Sequence, residues 1–181
     1  MLDVGQFDRV ADFHGHKCPG LAIGFKASEG AIEELKLDLS KLPAIDEEIV
    51  CVTENDACGV DAIQVLLGCT YGKSNLIPRL RGKQAFTFFN RNSKESVRLV
   101  LKSNKDNSMS REEYLEYLLT TTYKELFDIG KPSFGLPEEA RLFKSQDCAV
   151  CGESTAEYAL RIQNDKSVCL DCYDSYKREG F

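Results

Sequence analysis

The chain has 181 residues, of which 43% are hydrophobic and 29% charged, and its formal net charge is −6. It is too apolar to be disordered and long enough for one ordinary domain with a small appendage, and its acidity suits a phosphate backbone poorly, so no nucleic-acid role is expected. No stretch reaches the roughly 20 apolar residues that span a bilayer, and the first residues lack the basic and apolar regions of a signal peptide, so no membrane association and a cytoplasmic location are expected.

In chain order, residues 19–36 read as a helix. Pro19 sits in its first turn, where a missing N–H costs nothing, and Leu21, Ala22, Phe25, Ile32 and Leu35 supply an apolar stripe. A loop over Asp38–Asp46 leads to a β-rich run, Glu48–Glu54, expected as a buried strand. Gly59–Leu67 reads as a second helix ended by Gly68. Lys83–Asn90 and Glu95–Lys102 form a β-hairpin around the turn signal at residues 90–94. Ser110-Arg-Glu-Glu113 is a capping box that opens a long amphipathic helix through Phe127, stopped by Gly130. A Gly/Pro-containing linker at 131–147 is expected to separate a first domain over residues 1–130 from a small C-terminal domain at 148–181.

Eight cysteines in a chain of this kind point to metal or thiol chemistry rather than to a disulfide framework. Cys148, Cys151, Cys169 and Cys172 form C-x2-C-x17-C-x2-C. Each C-x2-C turn converges two sulfurs, and two turns complete the tetrahedral shell that zinc prefers. Residues 157–162 and 167–168 are expected to pair as strands across a turn at Asn164-Asp165, with a short helix after Cys172. So few residues cannot bury a core alone, and a closed site of four thiolates has a folding or assembly role rather than a catalytic one. Lys177 and Arg178, with Arg79, Arg81 and Lys83, are too few for a basic patch and read as solvated surface.

Both histidines of the chain lie in Phe13-His-Gly-His-Lys-Cys-Pro-Gly20. In an extended segment, His14, His16 and Cys18 would share a face. Cys18 and Cys58 each precede an expected helix, whose free N–H groups favour thiolate over thiol. Together these four residues make a candidate metal or thiol redox site, in which Cys18 and Cys58 are the nucleophile candidates and His14 the acid–base candidate. An anion pocket at the two helix starts is a blander alternative. Cys51 reads as a buried small hydrophobe. Cys69, eleven residues past Cys58, would lie about 16 Å away on a continuous helix, although a break could return it.

The segments 13–24 and 54–64, followed by Gly68-Cys-Thr-Tyr-Gly-Lys-Ser-Asn75, resemble the FmdE family of formylmethanofuran dehydrogenase components across roughly residues 10–130. The C-terminal cysteines resemble the zinc-finger extension that some members carry. The resemblance implies an α+β core with a mixed β-sheet flanked by helices, a metal site on His14, His16, Cys18 and Cys58, and a homodimer. It also raises Lys73 and Asn75 to candidate cofactor-binding residues. Two functions follow as expectations. One is a metal-binding accessory protein associated with molybdenum or tungsten oxidoreductase subunits, carrying a structural zinc and a second ion, zinc or another transition metal. The other is a stand-alone metal- or thiol-dependent enzyme that uses Cys18 and Cys58 with His14 and His16.

Overall fold

In the computed structural model, which describes residues 2–103 and 108–176, the chain starts with a helix not expected from the sequence. This helix, α1 (Val4–His14), is opened by a reciprocal capping box between Asp3 and Gln6 and closed by Gly15 in the left-handed region. Phe7, Val10 and Ala11 form its buried stripe. The His-rich segment is therefore not one extended strand: His14 ends a helix, and Cys18 caps the next. That helix, α2 (Pro19–Glu34), is buried from Leu21 to Ala31. The remaining elements of the first unit are β1 (Ile49–Thr53), α3 (Gly59–Leu67), β2 (Leu76–Pro78), β3 (Ala85–Asn90), β4 (Ser96–Leu101), α4 (Arg111–Thr120), α5 (Tyr123–Leu126) and β5 (Phe127–Gly130).

The five strands form one mixed sheet in the order β2-β1-β3-β4-β5. β2 runs parallel to β1, and the other pairings are antiparallel. Alternation decides which face each side chain takes. Cys51, Phe86, Phe88, Val97 and Leu99 join the helices in the main core, whereas Val50, Val52 and Phe89 point to the opposite face. There Phe134 and Leu136 cover them. Residues 131–140, expected as linker, are thus the lid of the sheet's second face. Arg91 fastens them by donating to the carbonyls of Pro137 and Glu138, and Glu47 accepts from the Ala140 amide.

The expected long helix through Phe127 is interrupted. Thr121 is extended, and Thr122 with Glu125 forms a second capping box that starts α5. β5 follows at once and pairs with β4, which gives the apolar residues after Leu126 a strand partner in place of a helical face. Glu54 follows β1, where Arg98 of β4 grips its carboxylate through two contacts of 2.7 and 3.0 Å and holds it below the usual carboxylate range. Arg98→Met would leave a buried carboxylate unpaired, with an expected cost of roughly 3 kcal/mol in urea unfolding at neutral pH. Because Glu54's folded pKa is lowered, the pair's contribution is present above the ordinary glutamate pKa and fades as pH falls through the folded value. The gap between variant and parent should therefore narrow in acid.

The second unit, Arg141–Phe181, is described by itself. It contains two small hairpins, β6 (Ser145–Asp147) with β7 (Ser154–Ala156), and β8 (Leu160–Gln163) with β9 (Lys166–Cys169). Asn164 and Asp165, at φ of 50° and 60°, make the tight turn between the latter two. The β6–β7 hairpin, with strands of three residues each, is additional to the strands expected from the sequence. No helix follows Cys172 over residues 173–176, and Lys177 and Arg178 lie outside the described residues. Among the described residues, no helix is long and apolar enough to cross a membrane.

Candidate metal centre

The close approach of two helices builds the N-terminal cluster. α2 presents Gly20 and Gly24, four residues apart on one face, to Gly59 at the start of α3. A Cβ at Gly24 would fall 1.9 Å from the Gly59 carbonyl oxygen, and one at Gly20 would sit 3.2 Å from Cβ of Cys58. Glycine at these positions lets the backbones touch, and Cys18 and Cys58 stand beside the contact.

One donor atom from each of His14, Cys18 and Cys58 lies within 4.8 Å of the others. His14 Nε2 is 3.9 Å from Cys18 Sγ, while its Nδ1 is 2.7 Å from Asp61 Oδ2. Asp61, one turn after Cys58 on α3, takes a second hydrogen bond on its other oxygen from Gln64 Nε2 at 3.0 Å. A carboxylate on the far nitrogen of a ligand imidazole fixes its tautomer and ring orientation. Asp61 is not among the site residues expected from the sequence; its spacing of three from Cys58 on a helix was the available signal. Cys18 Sγ also accepts from the Leu21 amide at 3.3 Å, which makes it the cap of α2.

Cys58 does not behave as its place at a helix start suggests. Burial, and then the neighbouring Cys18, push its thiol above the ordinary value. Two sulfurs crowded together resist a second negative charge, and a cation between them relieves that cost. His16 is exposed, its ring centroid 4.6 Å from that of His14, and among the described residues it is not part of the converging donor set. His14, Cys58 and Asp61 line a cleft of about 380 Å³ with Asn55, Tyr71 and Pro78.

The other candidates have different surroundings. Asn75 is fully buried; its Oδ1 accepts from the Thr70 amide, and its Nδ2 donates to the carbonyls of Ile49, Asp46 and Gly68. Lys73 Nζ donates to the Ala44 carbonyl at 2.8 Å. Both side chains staple the 44–49 segment to the loop after α3, and neither lines the cleft. Gly68 breaks the helix before Cys69, which turns into the core, bonds the Ile49 carbonyl and is pushed up to about 12 by burial. Cys51, also buried, is raised by burial and by Cys69. Lys17 is exposed and pairs with Asp8.

In the second unit, Cys148, Cys151, Cys169 and Cys172 place four sulfurs within 4.8 Å of one another. The first turn is closed by the Gly152 amide on the Cys148 carbonyl, with Gly152 at a φ of 77°, and the second by the Cys172 and Tyr173 amides on the Cys169 carbonyl. Amide donors from Cys151, Cys169 and Val150 lower the Cys148 thiol to about 6, whereas its sulfur neighbours raise Cys172 to about 12. The four-thiol set fits a zinc-ribbon-like site that could hold a metal ion.

The fold and these two donor sets define an α+β protein with the means to bind metal at two places. Residues 13–128 match the family model described as FmdE, molybdenum formylmethanofuran dehydrogenase operon, and the chain belongs to that family. A "Probable S-adenosyl-L-methionine-binding protein" of Archaeoglobus fulgidus is 28% identical over 195 residues, covering 93% of this chain and 52% of its own length. The chain therefore spans about half the length of that relative. The crystal structure of a tungsten formylmethanofuran dehydrogenase FmdE-like protein from Syntrophus aciditrophicus superposes with a TM-score of 0.61 at 22% identity, over 91% of this chain and 88% of that one. It supports the fold assignment.

Proposed function

We propose that the protein is a metal-binding accessory component of a formylmethanofuran dehydrogenase-related system. His14, Cys18 and Cys58 would hold one transition-metal ion, and Cys148, Cys151, Cys169 and Cys172 a structural zinc. The observation that carries this reading is the convergence of three donors from two distant segments within 4.8 Å, with Asp61 bracing the imidazole. A buried structural cysteine pair needs neither an imidazole nor a carboxylate behind it. Three ligands beside a cleft leave a position for an exchangeable ligand, which suits holding or passing on a metal or cofactor. The metal would supply charge for the two thiolates and Lewis acidity at that position.

Elemental analysis and anomalous scattering on purified protein test the reading, with two ions per chain expected. Cys18→Ser with Cys58→Ser should lose one ion and retain the other; a full complement in the double variant would overturn the assignment. Asp61→Asn should weaken the N-terminal ion 10- to 100-fold in competition with a chelator, while the C-terminal ion is unaffected. His16→Ala separates a three-ligand site, which keeps its ion, from a site that recruits the second imidazole. The accessory role further predicts a cytoplasmic homodimer that captures larger molybdenum or tungsten oxidoreductase subunits from native lysate, and recovery of the homodimer alone would count against it.

The cleft over the cluster favours one further reading, a stand-alone enzyme in which Cys18 or Cys58 reacts with a bound substrate and His14 moves the proton. It requires these thiols to alkylate readily in metal-free protein, and inertness there would exclude it.

A further inference from the structure

A second cavity, of about 570 Å³, opens between α1, α2 and the α4–α5 junction, and the metal cluster is not part of its lining. Its size lies within the range of small-molecule sites. Phe7 and Phe25 form one wall, meeting edge to face with centroids 5.3 Å apart, and Leu119 stands among the residues opposite. Beside these apolar side chains, and beside a polar part of the lining made by Asp3, the threonines at 120–122 and Lys124, α2 inserts Lys26 and Glu29. Their side chains are 8% and 9% exposed, with Lys26 Nζ 2.6 Å from Glu29 Oε2. Glu33, one turn further on, lies at the exposed rim and shares the Tyr123 hydroxyl with Glu34.

The pair is hard to explain as a stabilising device. Two charges leave water here, and apolar side chains of similar volume would serve the core as well or better. Lysine also precedes glutamate on the helix, the weaker of the two orders. The ammonium carries three donors, and Glu29 is the carboxylate it pairs with. A buried ion pair that lines a cavity together with the carboxylates of Asp3 and Glu33 offers a ligand a cation at Lys26 and anions beside it.

We propose that this cavity binds a zwitterionic α-amino acid, or a derivative that keeps the amino-acid group, with a bulky apolar side chain. Its carboxylate meets Lys26, its ammonium meets Glu29 and Glu33, and its side chain lies against Phe7, Phe25 and Leu119. A ligand with only one charge leaves half of the buried pair's valence unmatched and binds less well.

Titration of the full-length, metal-loaded protein with L-phenylalanine, followed calorimetrically and by amide chemical shifts, tests this. Saturable binding is expected, with shifts confined to α1, α2 and residues 119–124. Phenethylamine, which lacks the carboxylate, and 3-phenylpropanoate, which lacks the ammonium, should each bind at least tenfold more weakly. These arms need no variant and hold even where substitution of the pair impairs folding. Lys26→Met should abolish binding and leave the metal content unchanged, and the exchange Lys26→Glu with Glu29→Lys, which retains an ion pair, should do the same. No saturation by about 10 mM, equal affinity for the singly charged analogues, or unaltered binding by the exchanged pair would each overturn the proposal.

Discussion

Replacing Gly24 by alanine should force α2 from α3 and dismantle the His14–Cys18–Cys58 cluster with it. The added methyl would stand 1.9 Å from the Gly59 carbonyl oxygen and 2.5 Å from its carbonyl carbon, and both are backbone atoms with no rotamer to turn aside. One helix has to move by more than an ångström. The expected cost is roughly 3 kcal/mol or more, at or above the upper end for overpacking, because rigid elements take up the strain. Denaturant unfolding should show the loss of stability, and elemental analysis should show the N-terminal ion gone. Gly20→Ala is the informative companion. Its methyl would meet Cβ of Cys58 at 3.2 Å and Sγ at 3.6 Å, so a shift of a few tenths of an ångström suffices. That variant should keep most of its stability and lose metal affinity, because the crowding falls on a donor rather than on the backbone. Gly72→Ala, with nothing within 4 Å, should leave both readouts unchanged. A Gly24→Ala protein of parental stability and full metal content would refute the claim that helix contact sets the cluster.

That contact also shows where the sequence was legible. The α3 helix, the β3–β4 hairpin and the cysteine pattern of the second unit could be read because each is a local pattern: a 3.6 period, an alternation or a spacing. Donor convergence depends on glycines in two helices facing one another, and no single-helix pattern reports that. α1 is marked in the sequence by the Asp3–Gln6 cap, but its end lies inside the His-x-His-x-Cys segment, whose alternation mimics an extended strand. β2 is three residues long and ends in Pro78, too short for any periodicity. The interruption between α4 and α5 rests on Thr122 and Glu125 competing with a continuing helix, a contest that β5's pairing with β4 decides. Residues 131–140 carry proline and glycine as linkers do, but Phe134 and Leu136 have a sheet face to cover, and Arg79 lies over the Phe134 ring at 4.6 Å. Lys73 and Asn75 stood out by resemblance, and both serve backbone carbonyls.

Stripping metal from the C-terminal unit should unfold it while the first unit stays folded. The buried cluster of the second unit consists of Cys148, Val168 and Cys169 with Cys172 against it, so three of its four members are the proposed ligands. Leu142, Val150, Ile162 and Leu170 are exposed and contribute little burial. Two short hairpins with that core cannot offset the entropy of ordering the chain, and the ion is what ties the two cysteine turns together. Chelation, or Cys148→Ser in metal-replete buffer, should open residues 141–176 to protease and collapse their amide dispersion, with the signals of residues 2–103 retained. The pH dependence has a fixed sign. Zinc takes thiolates, and in the folded arrangement the neighbouring sulfurs raise Cys172 while Cys151 is raised as well, so loading must displace protons from those two thiols. Protons are released on loading, and apparent affinity should be weaker at pH 6 than at pH 8, as competition with a colorimetric chelator would measure. A unit that stayed protease-resistant without metal would locate its stability elsewhere, and the four sulfurs would then be reduced thiols that the hairpins hold in place by themselves.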